Sequence, residues 1–505
     1  MIQRPRTLAV ASPLFIGLLS ILSLFEKNPG ETWFIDFLFL SFFLMILVIS
    51  VIAIFFSLKR CLLQSSLSTF LVFLPLSIIN ESHSYFTNVL VWLSSALTAL
   101  IFLFSPIKIT VLKKIQQIIF FPLCILIIFF GTCISISKIR IFVARKNLEN
   151  KLNSQFVELK RTQNPTTHLS PDVYFIILDE FISPIAFKNY YQYNNTGFFS
   201  FLEASGFHLV NHPYSNYAWT IPSISSMVSL NYHKNWVSKK EFPKIAHFLL
   251  RYNMIAKLLQ SEGYQIYTIP SIYWLGNSFK KIWKDFLFRS KSYGLTMSVL
   301  RSTPLAKKAR KYQRIEHRNH ILNQFTQFEK VVKKKEKKFV FTHLLCPHRP
   351  IVFDREGKNL KEEHIVLAEQ DKNHKYYLDQ AYFISCSIQK LVKTILASST
   401  IPPFIIIVSD HGKFPIGVSG KGKITLPISE LSWRLSNFIA LHLPNHSSEI
   451  PQLFTAVNVF RLLLNDYYGY NLPLLQDICH TDFFDLEKGE DPMFLIPFQY
   501  GRSLQ

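Results

Sequence analysis

The stretch Pro171–Glu180, PDVYFIILDE, sets six apolar residues in a row, Val173 to Leu178, directly before two carboxylates. An apolar run of that length with no polar alternation marks a strand buried on both faces, as in the middle of a parallel sheet. Such sheets take their ligands at the carboxyl ends of the strands. Asp179 and Glu180 are therefore candidate metal ligands, with capping of the following loop as the plainer alternative.

Outward from this strand, apolar runs and helical patterns alternate. Strands are expected at 173–178, 264–269, 339–345, 403–409 and 438–443, and helices at 197–205, 221–230, 245–261, 315–336, 373–397 and 453–465. The alternation predicts an α/β domain with a mostly parallel central sheet covered by helices on both faces. This domain occupies residues 171–505, with 271–314 as an insertion. Three strand ends carry groups suited to a divalent cation: Asp179-Glu180, the run from His343 to His348, and Asp410-His411-Gly412. Carboxylate and imidazole donors together suit zinc or manganese. Thr220 offers a hydroxyl nucleophile just before a helix whose early Pro222 fits the first turn. Free N–H groups there favour a phosphate or sulfate, and a cation would lower the hydroxyl pKa. Read alone, the segment gives Thr220 only as an N-cap.

The first 137 residues form a separate compositional region. Five apolar segments, at 8–25, 34–58, 62–80, 86–107 and 117–137, approach the ~20 residues that a bilayer takes. The third is the most polar, through Gln64 to Ser68 and Pro75. Four further apolar segments after the first argue against a cleavable signal peptide. Arg4 and Arg6 precede the first segment, Lys59 and Arg60 follow the second, and Lys108, Lys113 and Lys114 follow the fourth, whereas the alternate loops hold only Lys27. That bias predicts a multi-pass protein of the plasma (inner) membrane, with its N-terminus cytoplasmic and everything after residue 137 extracytoplasmic. Residues 138–170 are expected as a juxtamembrane amphipathic helix and linker, broken at Asn164-Pro165.

The net charge of +22 is concentrated, since residues 231–340 hold 24 Lys+Arg against 6 Asp+Glu, a balance of +18. Outside a membrane, anionic lipid headgroups or a phosphorylated glycan are the expected counter-charges, and nucleic acid is not. A solvated basic face without a partner is the alternative. The six cysteines are scattered, with no CxxC metal spacing and no disulfide framework. Nothing in the sequence speaks to oligomeric state.

The segments PDVYFIILDE, GFFSFLEASGFHLVNHPYSNYAWTIPS, THLLCPHRPIVFD, FIIIVSDHG and SNFIALHLP occur in that order. Together they resemble the sulfatase branch of the alkaline phosphatase superfamily over most of residues 171–465. Five spans followed by such a domain are also similar to lipoteichoic acid synthases and, more loosely, to lipid A phosphoethanolamine transferases. The resemblance implies an alkaline-phosphatase-like sheet, one divalent ion (Zn, Mn or Mg/Ca), and Asp179, Asp410 and His411 as its ligands. It implies Thr220 as metal-bound nucleophile, His348 as a contact to the substrate phosphate or leaving group, and His343 as either a second polar contact or a strand residue. Glu180 departs from branches with a second aspartate there, and is read either as a ligand or as support for one. True sulfatases need Cys or Ser in a C/S-x-P-x-R pattern, but this chain has Thr220-Ile221-Pro222-Ser223-Ile224. Phosphoryl transfer through a phosphothreonine, from a membrane lipid to an envelope glycan or lipid, is therefore expected over sulfate ester hydrolysis. A hydrolase on the same site, or an inactive glycan-binding domain, stand as alternatives.

Overall fold

The computed structural model describes residues 13–16, 18–19, 22, 34–59, 62–73, 85–159, 171–232, 250, 253–271, 305–369, 374–413, 434–445, 450–451, 453–480 and 493–495. Two compact units divide the chain: residues 1–144 with 282–313, and residues 145–281 with 314–505.

The first unit is helical, with α1 (Phe34–Lys59), α2 (Leu62–Phe73), α3 (Tyr85–Phe104) and the start of α4 (Ile109–Glu158). The polar stretch that weakens the third expected span is buried inside this unit, where Gln64 Nε2 donates to the carbonyls of Phe102 and Ser105 at 2.7 and 2.9 Å. Among the described residues one helix, Ile109–Phe156, is long and apolar enough to cross a membrane, instead of the five expected. Shorter apolar helices cover Met45–Leu58, Leu62–Val72 and Leu93–Phe104. Most of the first expected segment lies outside the described residues. The expected juxtamembrane helix is no separate element, because α4 runs on to Glu158 without a break. Nothing in the sequence before Asn164-Pro165 interrupts helical backbone there.

The second unit is built on a six-stranded sheet in the order β2-β7-β6-β1-β5-β4. Its strands are β1 (Val173–Leu178), β2 (His208–Leu209), β4 (Gln265–Ile269), β5 (Lys338–Leu344), β6 (Phe404–Ser409) and β7 (Ile439–His442). β1, β4, β5 and β6 run parallel, while β7 and β2 add an antiparallel edge. The sheet is thus mixed around a parallel centre. β1 lies in the middle and every one of its residues is buried. Tyr174 stacks on Phe328 on one face and Phe175 meets Phe460 edge-on on the other, with ring centroids 5.8 and 4.8 Å apart. Those partners come from α8 (Ala306–Val332) and α11 (Val459–Tyr468), so helices cover both sides.

The remaining helices are α5 (Thr196–Ala204), α6 (Thr220–Ser229), α7 (Met254–Ser261), α9 (Glu362–Glu369) and α10 (Lys375–Ser398). The helix expected at 453–465 opens instead as β8 (Leu453–Thr455) and a 3-10 turn, Ala456–Asn458. β8 pairs with β3 (His212–Tyr214), and the side chains of Asp477 and Asn216 accept the N–H groups of Thr455 and Val457. Most of the expected insertion lies outside the described residues. The five described cysteines are all free thiols.

Candidate metal centre

Parallel pairing decides which strand ends meet. Leu178 lies opposite Leu344 on β5 and opposite Ser409 on β6. Asp179 and Asp410 therefore leave adjacent strands at the same edge, and both are buried. The Asp179 N–H donates to the Leu344 carbonyl at 3.0 Å, and the Asp179 carbonyl accepts from the His348 N–H at 3.1 Å. Asp410 Oδ1 accepts from the N–H groups of Glu180 and His411 at 3.1 and 2.9 Å. Two carboxylate oxygens are left over, for Asp179 Oδ1 and Asp410 Oδ2 are buried without a hydrogen bond.

His411 Nδ1 lies 3.0 Å from the Gly412 carbonyl, which assigns its proton to that nitrogen and leaves a lone pair on Nε2. Nε2 in turn stands 3.1 Å from Asp410 Oδ2 and 3.1 Å from Thr220 Oγ1. Ligand atoms of Asp179, Asp410 and His411 all lie within 4.8 Å of one another. Acceptor atoms converging in a buried space repel unless a cation lies among them. Two carboxylate oxygens and one imidazole nitrogen fit a divalent ion of the zinc or manganese kind.

The electrostatics agree with that fit. Burial works to raise the pKa of Asp179, but His348, His343 and His411 outweigh it and hold the carboxyl below its usual range. Asp410, buried beside the Asp179 charge, is pushed up to about 7. Burial, with Arg434 adjacent, drives His411 down to about 3, so it is a neutral donor at ordinary pH.

Thr220 is the first residue of α6, whose N-cap is the extended Trp219. Its hydroxyl points to His411 rather than capping the helix. Ser223, one turn on, ties α6 to the site through its hydroxyl on the Asp410 carbonyl at 2.5 Å.

Glu180 takes another partner, outside the three-residue cluster. Its Oε1 accepts from Arg434 Nη1 at 2.7 Å, and its left-handed backbone (φ 60°) is pinned by the Asp410 carboxylate and by the Tyr377 hydroxyl on its carbonyl. His343 is a buried strand residue with Nε2 3.2 Å from Asp179 Oδ2. His348 is half-exposed on the loop after β5. Desolvation lowers its pKa, yet the Asp179 and Glu180 carboxylates prevail and hold it above the ordinary histidine value.

Two site residues escape a reading of the sequence. Arg434 is buried with Nε on the Ala218 carbonyl (3.0 Å), Nη1 on the Gly412 carbonyl (2.5 Å) and Nη2 3.2 Å from His411 Nε2. It precedes β7 by a few residues, and no motif or spacing distinguishes it from the other arginines. Gln380 on α10 accepts from the N–H groups of Val352 and Phe353 and donates to the carbonyls of Pro347 and His348, so it clamps the loop that carries His348. A buried glutamine within an apolar helix face is its only trace in the sequence.

No protein-family model and no curated protein matches the chain. Among solved structures, it is similar to the C-terminal periplasmic domain of EptC from Escherichia coli at 13% identity, covering 62% of this chain and 86% of that one, with a TM-score of 0.38. It is similar to the lipoteichoic acid synthase LtaP from Listeria monocytogenes at 12% identity, over 64% and 78% of the two chains, with a TM-score of 0.34. The integral membrane lipooligosaccharide phosphoethanolamine transferase EptA from Neisseria meningitidis matches at 14% identity, over 86% and 88%, with a TM-score of 0.34.

Proposed function

We propose that the chain is a membrane-anchored, metal-dependent phospho-group transferase that works through a phosphothreonine. The observation that carries this is the hydroxyl of Thr220, 3.1 Å from His411 Nε2 at the mouth of a cation-demanding cluster. A threonine cannot be oxidised to the formylglycine aldehyde of true sulfatases, so phosphoryl chemistry is left to it.

Asp179, Asp410 and His411 would hold one divalent ion. When bound, such an ion would neutralise charge on the transferred group and lower the pKa of an adjacent hydroxyl, and Thr220 Oγ1 gives up its proton to solvent. Thr220 Oγ1 attacks the phosphorus of a lipid phosphodiester. The bond from Thr220 oxygen to phosphorus forms as the bond to the leaving alkoxide breaks, and His348 in its protonated form gives that alkoxide its proton. In the second step an acceptor hydroxyl gives its proton to the now neutral His348 and attacks the phosphothreonine, releasing Thr220. Arg434 sets the orientation of Glu180 and the 411–412 backbone throughout.

In this reading residues 1–137 anchor the protein in the plasma membrane, and residues 171–505 act on its outer side. Large apolar side chains along α4, among them Ile118, Ile125 and Phe142, stand exposed and suit a lipid surround. Incubation of the purified protein with phospholipid radiolabelled in its headgroup phosphate tests the mechanism. Wild type retains covalent label after denaturation, and Thr220→Ala retains none; equal labelling of the two removes Thr220 from the role.

A further inference from the structure

A cavity of about 890 Å³ opens on the connection between β1 and α5, four residues beyond Glu180. That connection leaves the metal-centre edge of the sheet, and Ser183 fastens it to Ser436 by a 2.7 Å hydroxyl pair, two residues past Arg434. The volume is within the range of pockets that enclose a small organic ligand.

Its lining has a distinct chemistry. The apolar part comes from Pro184, Phe187 and Phe199, with the ring of Tyr193 beside Phe187. The polar part is rich in carboxamides, including Asn189, Gln192 and Asn194, with Thr196 adjacent. Asn194 is committed to Thr196, whose N–H and hydroxyl it accepts at 3.0 and 2.6 Å. The side chains of Asn189 and Gln192 have no partner among the described residues. Each offers two donors and an acceptor to a ligand.

Among the described residues no carboxylate lines the cavity, whereas Lys188 and His212 do. A cationic headgroup would therefore meet only like or neutral charge. An acyl chain would strip water from the amides without replacing its hydrogen bonds. A sugar satisfies both halves, setting C–H faces against the apolar wall and hydroxyls against the amides.

We infer that this cavity is a saccharide subsite, which binds a neutral oligosaccharide and presents one of its hydroxyls as acceptor. The acceptor role rests on the transfer reaction proposed above; saccharide binding does not. The test is direct binding to the full-length protein in detergent, read by saturation-transfer difference NMR with chitotriose, maltotriose and mannotriose. At least one of the three binds, the Asn189→Ala/Gln192→Ala variant weakens it tenfold or more, and Thr220→Ala leaves it unchanged. Asn189 lies in the π-helical turn Ala186–Tyr190 and Gln192 two residues beyond it; both side chains are exposed, and thermal melting of the variant verifies that the fold is kept. Absence of binding by all three sugars, or binding that survives the double substitution, overturns the subsite and leaves the phosphothreonine reading untouched. Binding that stands while Thr220→Ala still takes label overturns only the transfer reaction.

Discussion

At the scale of single residues, the centre combines groups visible in the sequence with groups that only folding brings in. Asp179, Asp410 and His411 stand at strand ends, where local pattern marks them as candidates, whereas Thr220 at a helix start reads locally as an N-cap and is singled out by the resemblance alone. As adjacent acids, Asp179 and Glu180 look alike by local pattern, and only the resemblance of the surrounding motifs set Asp179 ahead as a ligand. In the fold Glu180 pairs with Arg434, more than 250 residues away. A second buried histidine shows how the interior sets protonation. His317 on α8 is buried with neither ring nitrogen hydrogen-bonded, and burial, with His348 and His320 nearby, drives it down to about 3. Its folded pKa is depressed, so its contribution to stability is complete above the unfolded value near 6.5 and is lost as pH falls. Between pH 6 and 4 this residue alone costs wild type about 1.4 kcal/mol per pH unit. His317→Leu removes that slope while keeping the site apolar. Thermal melts of both proteins across this interval would show the variant losing less stability on acidification, and parallel curves would contradict the assignment.

At the scale of elements, the strands were legible because β1 and β6 are buried on both faces and carry runs of five or more apolar residues, and the buried β5 carries Phe339 to Phe341. The direction of β7 was not, because a short apolar run reads the same parallel or antiparallel. The 453–465 segment misled for a related reason: its apolar spacing fits a helix, but backbone donors of Thr455 and Val457 are met by side chains from elsewhere in the chain. Helix α10 shows what an element contributes beyond packing. Gln380 spends both ends of its amide on the 347–353 loop, with four hydrogen bonds from 2.8 to 3.2 Å. Gln380→Leu leaves buried backbone groups unpaired and should cost on the order of 2–4 kcal/mol. Because the loop carries His348, turnover should fall through kcat more than KM. Gln380→Glu keeps the acceptor for Val352 and Phe353 and should recover part of both losses. Melting curves and steady-state kinetics on the three proteins check this, and an unchanged kcat in Gln380→Leu would free His348 from the clamp.

At the scale of the whole molecule, the chain joins a unit of apolar helices to a sheet-based unit whose centre needs a cation. The sequence marks the apolar segments plainly, but it does not fix helix ends, and α4 extends well past the 117–137 segment because no Pro, Gly or capping residue stops it there. Long apolar helices are ambiguous between a soluble core and a bilayer until exposure is known. On α4 that ambiguity narrows, for Ile118, Ile125, Ile128 and Phe129 are 60–72% exposed while Leu123 is buried. A water-soluble helix would hide such a face, and in the proposed reading it faces lipid. A lysine at Ile128 would then sit near the middle of the bilayer and cost about 2.5–3.5 kcal/mol of insertion energy. Ile128→Lys should deplete the protein from the membrane fraction or expose it to degradation. Ser154→Lys, on the exposed polar end of the same helix, should insert as wild type does. Carbonate extraction followed by immunoblotting of the fractions distinguishes them. Equal membrane retention of Ile128→Lys and wild type would mean that this face meets water or protein, and the proposed anchoring would then have to rest on the other apolar helices.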